Sequence, residues 1–136
     1  MLKAIIKDEK FLAQKSDVAS FADLNTAQDL LDTLAVHSDS CVGMAANMIG
    51  VHKNIIVVTV AERNIVMLNP TIIKRSGKYI TEEGCLSLAG VRTTVRYKKI
   101  LVQYQDMQLK FNKETFVGFT AQIIQHEIDH CNGILI

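Results

Sequence analysis

Proline is nearly absent from this chain, with one in 136 residues, and glycine is scarce at seven. That composition excludes collagen-like, Pro-rich and low-complexity architectures. Cysteine is sparse as well: three residues make an odd, thin count for a disulfide framework, so in a reducing compartment each Cys reads as buried, reactive or metal-bound. Long apolar runs are missing, since the longest, Ile55 to Val60, is broken by Thr59 and falls far short of the roughly 20 residues a membrane-spanning helix needs. Met1 to Ile6 begins like a signal peptide, but Lys7, Asp8, Glu9 and Lys10 interrupt it. Neither sign of charge is in excess, with fifteen Lys+Arg against fourteen Asp+Glu. The basic residues are scattered apart from pairs such as Lys74-Arg75 and Lys98-Lys99, which argues against nucleic acid as a partner. The expectation is a cytoplasmic protein without membrane attachment.

What remains is a globular composition, 49% hydrophobic and 21% charged, sufficient for one core, so residues 1–136 are expected to form a single domain. Ala27, Leu30, Leu31 and Leu34 fall at i, i+3, i+4 and i+7, one stripe of an amphipathic helix predicted over Thr26 to His37, with Asn25 and Gln28 as its capping box. Strand-length runs of β-branched and aromatic residues follow at Asn54–Val60, Asn64–Asn69, Val91–Tyr97 and Ile100–Tyr104. Turns are expected at Ser76-Gly77-Lys78 and at Asp106-Met107, the latter joining a hairpin whose second strand is Gln108 to Phe111. Helical spacing returns with Phe116, Phe119, Ile123, His126 and His130 and stops at Asn132-Gly133. The pattern predicts an α+β domain in which helices cover a mostly antiparallel β-sheet.

His126-Glu127-Ile128-Asp129-His130 carries the chemistry. On a helix the two His lie one turn apart on one face, in reach of a single metal ion, with Glu127 beside them to take a proton from water. A catalytic site of this kind takes a third protein ligand. Six residues follow His130, which gives a downstream Glu no place, and the position where a longer motif would carry another His is Ile136. The third ligand is therefore sought upstream, among Cys41, Cys85, His37, His52, Glu82 and Glu83. Cys85 stands out, because Gly84 before it permits close backbone approach and a thiolate suits a borderline metal. Cys131 points about 100° away from His130 on a helix and reads as a packing residue.

Glu83-Gly84-Cys85-Leu86-Ser87 and Gln125-His126-Glu127-Ile128-Asp129-His130 resemble the second and third motifs of the peptide deformylases, and Gly43-Met44-Ala45-Ala46-Asn47-Met48-Ile49-Gly50 resembles the first in part. These are metal hydrolases that remove the formyl group from the initiator methionine of new bacterial chains. The resemblance implies a fold with the metal-binding helix at its centre. It implies Cys85, His126 and His130 as metal ligands, Glu127 as general acid and base, and the Leu86 N–H as an oxyanion donor. It further implies that the backbones of Val42, Gly43 and Gly84 pair with the substrate as an added strand, that Ile123 and Gln122 line the pocket for the methionine side chain, and that Arg92 faces substrate, the alternative being a salt-bridged strand residue. The implied partner is an N-formylmethionyl peptide or nascent chain; the implied cofactor is one divalent ion, Fe(II) in the cell, with Zn(II) or Ni(II) as substitutes.

The departure that matters is Met48, which stands where the family has a Gln whose amide donates to the formyl oxygen. Asn47 is a neighbour that would have to reach in from the opposite side of an extended segment. Met1 to Ala19 also lacks the usual Pro-containing turn, and Ala89 stands where Pro is common. The alternatives are a divergent paralogue with weak or altered N-acyl hydrolase activity and a non-catalytic metal- or peptide-binding protein. Glu127 argues against the last, because a structural metal site needs no general base.

Overall fold

Two long strands dominate the computed structural model, which describes residues 1–135; Ile136 lies outside them. In chain order the elements are α1 (Glu9–Leu12), a 3-10 turn (Phe21–Asp23), α2 (Leu24–Val36), β1 (Gly43–Ala45), a second 3-10 turn (Ala46–Ile49), β2 (Ile55–Val60), β3 (Arg63–Cys85), β4 (Leu88–Gln105), β5 (Phe111–Val117) and α3 (Gly118–Cys131). The five strands form one sheet in sequential order, every neighbour antiparallel. No helix among the described residues is long and apolar enough to cross a membrane.

The amphipathic stripe of α2 is buried through Ala27, Leu30 and Leu34, whereas Leu31 is only partly covered. Thr33 takes the fourth inward place, its hydroxyl donating to Asp29 O and accepting from Lys3 N–H. The start of the helix differs from expectation. Ser20 and Asp23, not Asn25 and Gln28, form the capping box, and the 3-10 turn they open runs straight into α2.

β3 and β4 are 23 and 18 residues long and pair with each other over most of their length. The turn expected at Ser76-Gly77-Lys78 is absent because Gly77 is absorbed within the strand. It takes φ +78°, and a Cβ there would lie 3.0 Å from Lys98 Cβ, so the missing side chain lets the twisted ribbon close up. The hairpin after β4 is longer than two residues. Asp106 Oδ1 accepts from the N–H groups of Gln108 and Lys110, Leu109 sits at φ +62°, and β5 begins only at Phe111. An Asp side chain thus organises the loop where no Gly is present.

α3 packs against β1, β2 and β4, and the core between them includes Met44, Ile55, Ile56, Met67, Ile100 and Ile124. Phe116, at the head of the predicted helical stripe, is buried as the next-to-last residue of β5, and Phe119 is exposed. The later part of the stripe, from Ile123 to His130, faces inward. The sheet therefore wraps a helix whose polar face is buried, and that geometry needs a chemical explanation.

Candidate metal centre

Cys85 is the last residue of β3, and Leu86-Ser87 form the turn into β4. Opposite this turn, α3 presents His126 and His130. One donor atom from each of Cys85, His126 and His130 lies within 4.8 Å of the others, and Cys85 Sγ is 3.2 Å from His130 Nε2. Of the other upstream candidates, His52 Nε2 meets Phe11 O at 2.9 Å and His37 closes the end of α2, whereas Cys41 and Glu82 line the same cavity without joining the trio.

Glu83, two residues before Cys85, is not part of that trio but holds one member of it. Its Oε1 accepts from His126 Nδ1 at 2.8 Å and from Arg96 Nη2 at 2.7 Å; its Oε2 accepts from Arg96 Nε and Gln122 Nε2, each at 2.9 Å. Arg96 also donates to Asp129 Oδ2 at 2.8 Å, so one buried guanidinium ties β3 and β4 to α3. Burial pushes the Glu83 carboxyl up, but bonds from His126, Arg96 and Gln122 outweigh it and hold the group at about 2. For His126 burial acts downward and is overcome by the charge of Glu127 and by bonds to Cys85 and Glu83, which lift the imidazole to about 10. His130 is driven down to about 3 by burial and by the charge of His126.

This donor set suits a divalent ion. A thiol and two imidazoles converge, and Glu83 occupies His126 Nδ1, so Nε2 is the ring atom turned to the trio, as carboxylate–histidine pairs arrange at metal sites. Beside them Glu127 is buried, its Oε1 without a hydrogen-bond partner. Burial above all raises its carboxyl to about 7, against the opposing charge of His126, placing it near the operating range of a general base. A cavity of about 490 Å³ opens over the group. Val42, Gly43, Gly84 and Leu86 line it, as do Gln122 and Ile123.

Gly43 makes room for this approach. A Cβ there would lie 2.7 Å from Ile123 Cγ2 and 3.0 Å from Glu127 Oε2. Gly43→Ala is expected to cost about 1–3 kcal/mol of stability through overpacking and to lower turnover by displacing Glu127. Urea melts and formate assays check this, and a variant matching the parent in both would show that β1 has slack.

Met48 lines the cavity and is buried, its Sδ 3.4 Å from the Ala45 N–H, which donates to it. Asn47 does not substitute for a donor there. It lies in a 3-10 turn rather than an extended segment, and its Nδ2 donates to His130 O at 2.9 Å and Leu12 O at 3.4 Å. Arg92 does not line the cavity: its guanidinium bonds Glu9 Oε1 at 3.1 Å and Leu135 O at 3.4 Å. The ion-paired alternative describes it, because α1 brings a carboxylate within reach. Cys41 lines the cavity, but burial lifts its thiol to about 11, and Cys131 is packed in the core at about 12. Arg96, Asp129 and the bridging role of Glu83 were not legible in the sequence. Their only trace there is charge placed on an inward-facing register.

A family model described as polypeptide deformylase matches residues 3–136. The chain belongs to that family. It is 52% identical over 136 residues to a peptide deformylase of Clostridium beijerinckii, covering all of both chains. It is 39% identical over 111 residues to one from Dictyoglomus thermophilum, covering 81% of this chain and 71% of that one. The fold superposes on a peptide deformylase from Legionella pneumophila with TM-score 0.88 and 34% identity, over 99% of this chain and 83% of that one. It superposes equally well, at TM-score 0.88 and 30% identity, on a class I type b peptide deformylase from Acinetobacter baumannii with Met-Ala-Ser bound, over 99% and 97%. The chain is thus a metal-dependent hydrolase that removes the N-formyl group from the methionine of newly made polypeptides.

Proposed function

We propose that Cys85, His126 and His130 hold the single metal ion of this enzyme, with Fe(II) as the working ion and Zn(II) or Ni(II) able to replace it. The observation that carries this reading is the convergence of their donor atoms within 4.8 Å beside a buried carboxyl with an unpartnered oxygen. When bound, the ion supplies Lewis acidity, polarising the formyl oxygen and making water more acidic.

The chain's own residues do the rest. Val42, Gly43 and Gly84 offer backbone to an extended peptide at the cavity edge, an added strand that aligns the formyl group. Glu127 takes a proton from the water that attacks the formyl carbon. The Leu86 N–H, in the turn outside the β3–β4 ladder, donates to the oxygen that gains negative charge. As the C–N bond breaks, Glu127 returns the proton to the departing amine, leaving formate and a free N-terminal methionine. Gln122 and Ile123 form the wall against the methionine side chain. In this reading the enzyme works in the bacterial cytoplasm, where formylated chains are made.

The test is formate release from formyl-Met-Ala-Ser by protein purified anaerobically with Fe(II). Stripping the ion with a chelator is expected to abolish turnover, and adding Fe(II) back to restore it. Turnover that survives complete metal removal would sink the reading.

A further inference from the structure

Gln122 has a second task that its place on the cavity wall does not suggest. It stands one helical turn before His126 on α3, so the two side chains share a face. Its Nε2 donates to Glu83 Oε2 at 2.9 Å, while its Oε1 accepts from the Tyr79 hydroxyl at 3.4 Å. Tyr79 thereby fixes which way the amide faces, with its NH₂ toward Glu83. The carboxylate of Glu83 carries four bonds in all, two from Arg96, one from Gln122 and one from His126. Arg96 is divided between Glu83 and Asp129. Among the described residues, Gln122 is the one group besides His126 itself that reaches the carboxylate from the helix bearing both His.

We propose that Gln122 is a positioning residue for the metal centre, acting through Glu83 to fix the ring of His126, and that Tyr79 orients Gln122 for this purpose. Without the Gln122 donor, Glu83 Oε2 keeps one partner, the carboxylate swings about its Arg96 fork, and the His126 ring loses its set orientation. Partners of this kind, one bond removed from a ligand, alter metal affinity by about 10–100-fold when deleted. The inference rests on the proposed ligand set.

The experiment uses the full chain loaded with Zn(II) or Co(II) and follows metal transfer to a chelator, together with the Co(II) visible spectrum. Gln122→Met keeps length and volume but removes the donor, and is expected to release Zn(II) about 10–100-fold faster than the parent with an altered Co(II) spectrum. Tyr79→Phe, which leaves the cavity wall intact, is expected to move both in the same direction by less. If Gln122 were only a wall for the methionine side chain, Gln122→Met would change KM for formyl-Met-Ala-Ser, and its release rate and spectrum would match the parent's. That outcome overturns the proposal, as does parental behaviour of Tyr79→Phe should Gln122→Met not fold. A His126→Ala variant that holds metal as tightly as the parent would instead overturn the ligand assignment itself, and the proposal with it.

Discussion

Replacing Glu127 by Gln lowers kcat for formyl-Met-Ala-Ser by about 10²–10⁴-fold, the range a lost general acid–base group accounts for. Metal content is expected to stay at the parent level, because Glu127 is outside the Cys85, His126 and His130 trio. The amide keeps the shape of the carboxyl, so it fits the same space against Gly43, but it cannot take a proton from water. Its burial without charge is also easier, since desolvation is what opposes the carboxylate form. The variant should therefore be at least as stable as the parent. Single-turnover kinetics with metal analysis on the same sample separates chemistry from metal loss. A variant retaining parental kcat with full metal would remove Glu127 from the mechanism.

Met48→Gln is expected to act in the opposite sense and raise kcat by about 10²–10³-fold, the usual worth of one oxyanion donor. Met48 lines the cavity with a sulfur that accepts the Ala45 N–H. A Gln of nearly the same length could accept that N–H through Oε1 and turn its NH₂ toward the formyl oxygen. Position 48 is almost completely covered, and burying an amide that is partly unsatisfied before substrate arrives costs about 1–3 kcal/mol. The gain in rate should thus come with a lower melting temperature. A folded, metal-loaded Met48→Gln no faster than the parent would mean that the Leu86 N–H and the ion already stabilise the oxyanion fully. Taken with the Glu127→Gln result, it distinguishes an enzyme missing one donor from one that has dispensed with it.

Much of this site was legible before any fold was known. His126 and His130 needed only helical spacing, and Cys85 was singled out by the Gly before it. Other features were not legible, for definite reasons. Gly77 looked like a turn because a Gly followed by Lys in a polar stretch signals one locally. The pairing of its neighbours Ser76 and Lys78 with Lys99 and Tyr97 on β4 decided otherwise, and no local propensity encodes which strand lies alongside. Asn25 looked like a cap for α2, but Ser20 and Asp23 captured the chain one turn earlier. Arg92 matched a substrate-facing position, and its ion pair with Glu9, 83 residues away in sequence, turned it elsewhere.

The sequence by itself determined the chemistry of the candidate centre: a thiol, two imidazoles one helical turn apart and a carboxylate adjacent to the first of them. Backbone geometry fixes such local relations whatever surrounds them. Only the tertiary structure decided that Cys85 meets His130 across 45 residues, that Glu83 orients His126 across 43, and that Met48 and Gln122 border the same cavity. Those relations depend on the register of β3 against β4 and on how α3 seats against β1, β2 and β4. The cooperative burial of the whole core sets both, and no single segment contains that information.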